Sequence, residues 1–355
     1  MPPLLPIMRG RKRVLVRRAI DTSQIELLCN VCGLGKPLQE PQAISGGLLH
    51  RLWRLDTTQG TFALKQLNAA IMQKPLVHDS YRLSEGIAAA MAAHGVPAVA
   101  ALRCNGDPLQ ILENDTVIVY RWIEGETLSA EAVEPERARL IGALLGHMHA
   151  LHLQFPALPL PDWEHFRDDD WDLLTVHAYE RGIPWATPVR AVMHRLIEWS
   201  QLSEQAGEKL SQSYVISHRD LGQKNVIWQD EYTPWLIDWE AAGLVNPTME
   251  LVSTALDWSG LATGVLREDT FAAMMESYVA VGGVVQDAGI DVLHGVMGIW
   301  LNWLVFNMRR SLDESIFDEE ERQMGIRETP LAIARLRTLA HYAEQWASWI
   351  DRWHG

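Results

Sequence analysis

Two periods divide the chain. In its first third the apolar positions come in short extended runs, at 52–55, at 61–67 after a Thr57-Thr58-Gln59-Gly60 turn, and then at 98–104, 110–112 and 116–120. These predict strands. One helical period interrupts them: Leu83, Ile87, Ala90 and Met91 recur over residues 78–94 until Gly95-Val96-Pro97 stops the pattern. From 134 onward the helical period takes over. Pro135 suits a first turn, and Leu140, Leu144, Leu145, Met148 and Leu151 make one stripe through about 152. Further helices are predicted near 187–204, 205–213, 268–282, 286–311 and 330–352, and around the last two recur Trp300, Trp303, Trp346, Trp349 and Trp353 at a spacing that suits a core. Strands early and helices late predict an α+β chain. No internal repeat and no low-complexity tract breaks the pattern.

One stretch in the helical part departs from it. Val226–Trp228 and 235–237 are short apolar runs on either side of the turn-like Gln229-Asp230-Glu231-Tyr232-Thr233-Pro234, and they predict a hairpin. Folded back, the hairpin puts Asn225, just before its first strand, and Asp238, just after its second, at the same open end, about 5 Å apart. Asp220, a few loop residues upstream, can lean into the same space. Two oxygen ligands and a second carboxylate make a hard-cation site, and Mg²⁺ suits it because it takes one or two carboxylates plus water and phosphate oxygens. Asp220 is then free to orient a hydroxyl and accept its proton. Positioning and charge neutralisation are what phosphoryl transfer asks of a protein. A surface hairpin with ordinary polar ends is the other reading of the same residues.

The segment Ser217-His218-Arg219-Asp220-Leu221-Gly222-Gln223-Lys224-Asn225 carries His-Arg-Asp followed after four residues by Asn, the kinase catalytic-loop signature. With Ile237-Asp238-Trp239-Glu240 in place of Asp-Phe-Gly, the chain resembles the aminoglycoside phosphotransferase family of kinase-like enzymes over about residues 40–310. The resemblance implies a bilobal protein-kinase-like fold: a small N-terminal antiparallel-sheet lobe with one key helix over 21–121, a hinge at 122–126, and a larger, mainly helical C-terminal lobe over 127–355. It implies Asp220 as the catalytic residue and Asn225 and Asp238 as the metal ligands. His218, Arg219, Glu240 and Glu250 support them. Glu250 stands where the family usually has an aspartate bracing the catalytic loop, and Arg219, where the family more often has glycine, could pair with Glu250 or Glu240.

The nucleotide side follows from the same resemblance. Side chains alternate along 61–67, so Ala63 and Lys65 share a face; the kinase pattern puts the small residue under adenine and the lysine on the phosphates. Glu85, mid-helix among apolar positions, needs a partner, and kinase logic supplies Lys65; an exposed glutamate on the outer helix face is the alternative. The turn at 44–50, with Ser45, Gly46 and Gly47, would cover the phosphates with backbone N–H groups, although it lacks Gly-x-Gly-x-x-Gly. Residues 121–125 look like the hinge, with Arg121 and Ile123 beside the adenine edge and Gly125 releasing the chain. No long activation segment or Ala-Pro-Glu follows Asp238, so the peptide platform of protein kinases is missing.

Composition narrows the remainder. The 355 residues are 48% hydrophobic and 21% charged, in keeping with a soluble globular protein of two lobes. A net charge of −14 argues against nucleic acid as partner and is compatible with a cationic ligand, and equally with simple solubility. Arg9, Arg11, Lys12, Arg13, Arg17 and Arg18 concentrate in a basic arm over 1–20, which could touch nucleic acid or a membrane and is read instead as a frayed terminus. Cys29 and Cys32 form a Cys-x-x-Cys without the second pair of a zinc site, and are expected to be buried, inert thiols, a redox pair being the alternative. No apolar run is expected to reach transmembrane length, and the apolar, proline-rich first eight residues precede the basic cluster, the reverse of a secretory signal. The expected location is cytoplasmic, with neither membrane nor nucleic acid as partner.

For the acceptor, two acidic stretches stand out. Asp168, Asp169, Asp170 and Trp171 could form a wall in which carboxylates hold ammonium groups and tryptophan stacks on them, or a solvated loop with a helix cap. Glu319 and Glu320 belong to an acidic run between helices, which in the related antibiotic kinases would meet cationic substrates and otherwise is a solvated face. The expected cofactors are ATP (or GTP) and Mg²⁺. The expected partner is a small-molecule alcohol, aminoglycoside-like or metabolic, as in choline, thiamine or homoserine kinases of similar architecture. A kinase-like module that holds nucleotide without turnover is a further reading, and the intact Asp220, Asn225, Asp238 and Lys65 argue against it.

Overall fold

Asp21 opens the first helix, α1 (Thr22–Cys32), with a reciprocal cap. Its carboxylate accepts from Gln24 N–H at 2.9 Å, and the Gln24 side chain accepts from Asp21 N–H at 3.2 Å. Gly33, at φ 64°, closes the helix in the left-handed conformation. The computed structural model describes residues 20–44, 49–73, 75–113, 115–155, 158–163, 168–314 and 316–355. The basic arm up to residue 19 and the turn residues Ser45, Gly46 and Gly47 lie outside the described residues, as do the side chains of Asp168 and Asp169.

After α1 come β1 (Gln42–Ile44), β2 (Arg51–Thr57), β3 (Gly60–Gln66), a short α2 (Ala69–Met72), α3 (Pro75–Ala93), β4 (Leu109–Leu112) and β5 (Asp115–Arg121). The strands form one antiparallel sheet in the order β1-β2-β3-β5-β4. Its register sorts the side chains into two faces. Leu64 lies opposite Trp53 and Val119, and Phe62 opposite Leu55, and these pack with Ile25 and Leu28 of α1 into one core. Lys65 lies opposite Leu52 and Ile118, and Ala63 opposite Arg54 and Tyr120, on the other face. The run at 98–104 was expected as a strand but forms only isolated bridges. Its hydrogen bonds are divided among neighbours: Val99 donates to Leu236 O at 2.9 Å and Leu102 to Val119 O at 2.7 Å, so no ladder develops.

The chain continues through α4 (Pro135–Ala150), α5 (Asp168–Glu180), α6 (Ala186–Ala191), α7 (Met193–Leu210) and β6 (Val215–Ser217). It then forms the ribbon β7 (Val226–Trp228) and β8 (Pro234–Leu236), and ends with β9 (Gly243–Val245), α8 (Pro247–Trp258), α9 (Glu268–Ala280), α10 (Gly289–Leu312) and α11 (Glu319–Asp351). Two compact units result, and they interleave in sequence: Met8–Thr127 with Asn225–Ala242, and Leu128–Lys224 with Gly243–Gly355. The ribbon thus belongs with the first unit rather than with the expected 127–355 segment. Leu236 N–H donates to Pro97 O at 2.8 Å, and Trp228 and Glu126 exchange two backbone hydrogen bonds, at 2.8 and 3.1 Å.

In the second unit α10 packs between α7, α8 and α11. Contrary to the expectation from its sequence, this helix is long and apolar enough to cross a membrane, with a mean hydropathy of 1.4 over its best window. The neighbours it packs against account for that apolarity. At Gly325 a Cβ would sit 2.6 Å from Asn307 O of α10, so only glycine lets α11 approach so closely. α11 also begins earlier than predicted. Asp318 and Glu321 cap each other, both at 3.0 Å, and Pro330 sits on an exposed face without ending the helix. Of the five tryptophans around these helices, Trp346 alone is buried and the others are half-buried.

The cysteines depart from expectation. Cys32, at the end of α1, is disulfide-bonded to Cys104, 72 residues away, while Cys29 stays a buried free thiol. Closing so long a loop restricts the unfolded chain, an effect worth about 2–4 kcal/mol in typical cases. Reduction, or Cys104→Ser, should lower the melting temperature by about 5–10 °C. Melting curves with and without a phosphine reductant check this; identical curves, or three free thiols by mass spectrometry in oxidised protein instead of the one at Cys29, would contradict the bond.

Candidate active site

In the first unit the ribbon does what its sequence requires. Val226 pairs with Leu236, and Ile237 N–H donates to Asn225 O at 3.0 Å, which brings Asn225 and Asp238 to one end. Asp238 has a left-handed backbone, φ 62° and ψ 59°, a costly conformation for a non-glycine residue and one that concentrates at functional sites. Its Oδ1 takes the Lys65 ammonium at 2.5 Å, and Glu240 Oε2 takes the same ammonium at 2.8 Å. Lys65 is only 7% exposed. Burial would lower its pKa, but the two carboxylates more than reverse that and raise it. Burial likewise pushes the Glu240 carboxyl up, yet the Lys65 and His50 charges hold it well below the usual carboxylate range.

Two members of this cluster were not anticipated. His50 Nδ1 accepts from Asn68 N–H at 3.1 Å, so in the neutral ring the proton sits on Nε2. That nitrogen lies 2.7 Å from the Tyr81 hydroxyl and 3.1 Å from Glu240 Oε2. Tyr81 precedes Glu85 by one helical turn on α3, and that i, i+4 spacing was the available signal for it.

Glu85 does not clamp Lys65, contrary to expectation. It is 3% exposed and already satisfied: its carboxylate accepts from Tyr120 hydroxyl at 2.5 Å and Ala101 N–H at 3.0 Å. Burial raises its pKa. A cation choosing between this occupied carboxylate and the pair at Asp238 and Glu240 goes to the pair. Arg121, the last residue of β5, is exposed, and Ile123 beyond it is half-buried. Gly125, at φ 151°, is forced to be glycine, because a Cβ would lie 2.4 Å from Trp228 O.

In the second unit the loop 218–224 is held by α8. Glu250 Oε1 accepts from Arg219 N–H at 2.6 Å, and Glu250 Oε2 meets His149 Nε2 at 2.8 Å, while His149 Nδ1 meets the Tyr278 hydroxyl at 2.9 Å. Burial alone would raise the Glu250 pKa; the His149 contact keeps it low. The backbone N–H of Arg219, not its guanidinium, meets Glu250, and φ 67° at Arg219 makes that turn possible. Further along, Trp258 Nε1 donates to Leu221 O at 2.8 Å, and Gln223 Nε2 to Asp257 O at 2.9 Å. His218 is fully buried and accepts from Asp220 N–H at 3.3 Å. The Asp220 side chain is exposed, with Lys224 Nζ at 3.3 Å from its Oδ2.

The residues suggested for the acceptor do not gather. Trp171 is 0% exposed and belongs to the core, so it cannot stack on a ligand, and Asp170 is exposed on α5. Glu319 and Glu320 are exposed in the first turn of α11, where acidic side chains suit the helix dipole, and Glu319 engages Arg322 and Gln323.

A family model, APH, described as the phosphotransferase enzyme family, matches residues 40–278. The chain belongs to this family. It is a small-molecule phosphotransferase acting on hydroxyl groups. Comparison with curated protein sequences finds no match. Similar solved structures include spectinomycin phosphotransferase APH(9)-Ia with ADP and spectinomycin, at TM-score 0.63 and 13% identity, covering 88% of this chain and 98% of that one. Amicoumacin kinase hAmiN, with AMP-PNP and Ca²⁺, gives 0.60 at 14% identity over 89% and 93%. Choline kinase LicA from Streptococcus pneumoniae gives 0.59 at 14% identity over 90% and 100%. At these identities the likeness shows the fold, which is kinase-like: a five-stranded antiparallel sheet early in the chain and a helical part after it.

The depressed carboxyls give the phosphotransferase a defined acid behaviour. Glu240 and Glu250 have folded pKa values below their unfolded value of about 4.3. Their stabilisation is complete above that value and lost as pH falls through the folded ones. Lys65→Met removes the main opposing charge from Glu240, so acid unfolding should begin about one pH unit higher. Circular dichroism melts between pH 3 and 7 check this; an unchanged acid midpoint would contradict the cluster.

Proposed function

We propose that the protein transfers the γ-phosphoryl group of ATP or GTP to a hydroxyl of a cationic small-molecule alcohol, the class to which aminoglycoside antibiotics belong. The observation that carries this reading is the Lys65 ammonium seated on Asp238 and Glu240. A buried cation held by two carboxylates at the mouth of a ribbon is a place already shaped for positive charge beside phosphate.

The donor set fits a hard divalent cation. Asp238 offers a carboxylate and Asn225 an amide oxygen, and among the described residues no group of three or more His, Cys, Asp or Glu side chains forms a cage. A site with so few protein ligands suits Mg²⁺, which keeps water and takes phosphate oxygens. Held by Asn225 and Asp238, Mg²⁺ would supply positive charge to the phosphate oxygens.

The chain's own groups do the rest. Lys65 binds phosphate oxygens, and its second carboxylate, Glu240, keeps the ammonium aimed when Asp238 turns to other partners. Ala63, sharing the Lys65 face, leaves room for the base, and the backbone around Arg121 and Ile123 meets its edge. Asp220, five positions ahead of Asn225 in the chain, orients the acceptor hydroxyl and takes its proton. The acceptor oxygen forms the new bond to phosphorus as the bond to the nucleoside diphosphate breaks. Metabolic amino alcohols fit the same machinery, and the likeness to choline kinase LicA and to an ethanolamine kinase of Plasmodium vivax favours including them.

Asp220→Asn should lower phosphoryl transfer about 10²- to 10⁴-fold while leaving nucleotide affinity in place. Coupled ADP release across aminoglycosides and amino alcohols, with calorimetry for nucleotide, reads both. A variant that keeps the full rate, or wild-type protein that binds nucleotide but turns over no acceptor, would contradict the reading.

A further inference from the structure

His50 stands one residue ahead of β2 and is 4% exposed. Two contacts would satisfy it as an ordinary core histidine. Its Nδ1 accepts from Asn68 N–H at 3.1 Å, and its Nε2 meets the Tyr81 hydroxyl at 2.7 Å, the two rings lying edge to face. It makes a third contact as well. Nε2 lies 3.1 Å from Glu240 Oε2, the same oxygen that takes the Lys65 ammonium at 2.8 Å. The Tyr81 hydroxyl approaches that oxygen too, at 3.5 Å. Groups from β3, from α3 and from the start of β2 therefore converge on one carboxylate oxygen.

The convergence bears on what Lys65 has to do. An ammonium has three donors. One is on Asp238 and one on Glu240, which leaves a third for a phosphate oxygen. Asp238 is also the carboxylate suited to a cation, and when it turns that way Glu240 remains to aim the ammonium. A glutamate side chain has several free rotors, so neighbours rather than backbone must fix it. On α3 the expected clamp, Glu85, is engaged with Tyr120 and Ala101. The α3 group that reaches the lysine's partner is Tyr81, one turn earlier. His50 is in turn tied to the main chain at Asn68, three residues beyond Lys65, where the Asn68 side chain caps α2 through Ala70 N–H at 3.0 Å.

We propose that His50 is a positioning residue for nucleotide binding: with Tyr81 it fixes Glu240, and through Glu240 it keeps the Lys65 ammonium aimed at the phosphates. His50 itself touches neither nucleotide nor acceptor. This rests on the phosphotransferase reading above and adds to it the group that orders its lysine.

Two variants divide the contacts of His50. A glutamine amide nitrogen reaches the place of Nε2, so His50→Gln keeps a donor for Glu240 and gives up Asn68. The shorter asparagine reaches only the place of Nδ1, so His50→Asn keeps an acceptor for Asn68 N–H and gives up Glu240. Full-length protein is titrated by calorimetry with the β,γ-imido analogues of ATP and GTP in Mg²⁺. It is also titrated with adenosine and guanosine, which offer Lys65 no phosphate. His50→Asn should weaken analogue binding about tenfold and nucleoside binding less than about twofold, while His50→Gln stays within about threefold of wild type. Tyr81→Phe removes a single hydroxyl, should weaken the analogue about threefold, and gives a reading even where a histidine variant unfolds. In a Lys65→Met background His50→Asn should have no further effect, because its route to the phosphates is gone.

Equal losses in His50→Gln and His50→Asn, or a nucleoside affinity that falls together with that of the analogue, mark a purely structural histidine and overturn the proposal. Unchanged analogue binding in His50→Asn or in Tyr81→Phe overturns it too, as does a full effect of His50→Asn that persists in Lys65→Met. Failure of the phosphotransferase reading looks different. Lys65→Met would itself bind the analogue as tightly as wild type, or wild-type protein would bind no nucleotide, and the proposal would fall with that reading.

Discussion

A buried ammonium between two carboxylates organises the first unit. Lys65 sits on a sheet strand, and Asp238 and Glu240 follow a ribbon more than 170 positions later in the chain. Taking an ammonium out of water costs several kcal/mol, and only close opposite charges offset it. The sheet therefore needs the ribbon. The backbone bonds of Leu236 to the Pro97 and Val99 peptides, and of Trp228 to Glu126, hold the ribbon where those charges are required. His50 and Tyr81 approach the same Glu240 oxygen that holds Lys65, at 3.1 and 3.5 Å.

The second unit solves a different problem with the same economy. Its loop must hold Arg219 in a left-handed turn and keep Asp220 exposed, neither of which a free chain would do. One helix supplies the restraint. Glu250 near the start of α8 fixes Arg219, and Trp258 and Asp257 at its end fix Leu221 and Gln223. Glu250 is in turn kept charged by the buried His149, on α4. Through Glu250, His149 thus helps to position the loop.

Much of this was legible in the residues. The hairpin argument needed only two apolar triplets and a turn, and it placed Asn225 and Asp238 at one end. Period-two alternation put Ala63 and Lys65 on one face. What failed did so for physical reasons. Glu85 was paired with Lys65 because a buried glutamate needs a partner; it has two, but one is a hydroxyl and the other a backbone amide, and neither leaves a charge signature in sequence. The Cys-x-x-Cys drew attention to its own spacing, while the bond runs to Cys104, whose nearness depends on how α1 docks. The acidic run at 318–321 looked like a loop because capping residues resemble loop residues.

The account stands on the Lys65, Asp238 and Glu240 cluster being a phosphate and cation site rather than a structural ion pair. A crystal structure with a non-hydrolysable ATP analogue and Mg²⁺ tests this directly. The expected result has Lys65 Nζ on a phosphate oxygen, still within reach of Glu240, and Asp238 with Asn225 on the cation. Nucleotide bound elsewhere, with Lys65 still locked on Asp238 and no cation at the ribbon, would contradict it.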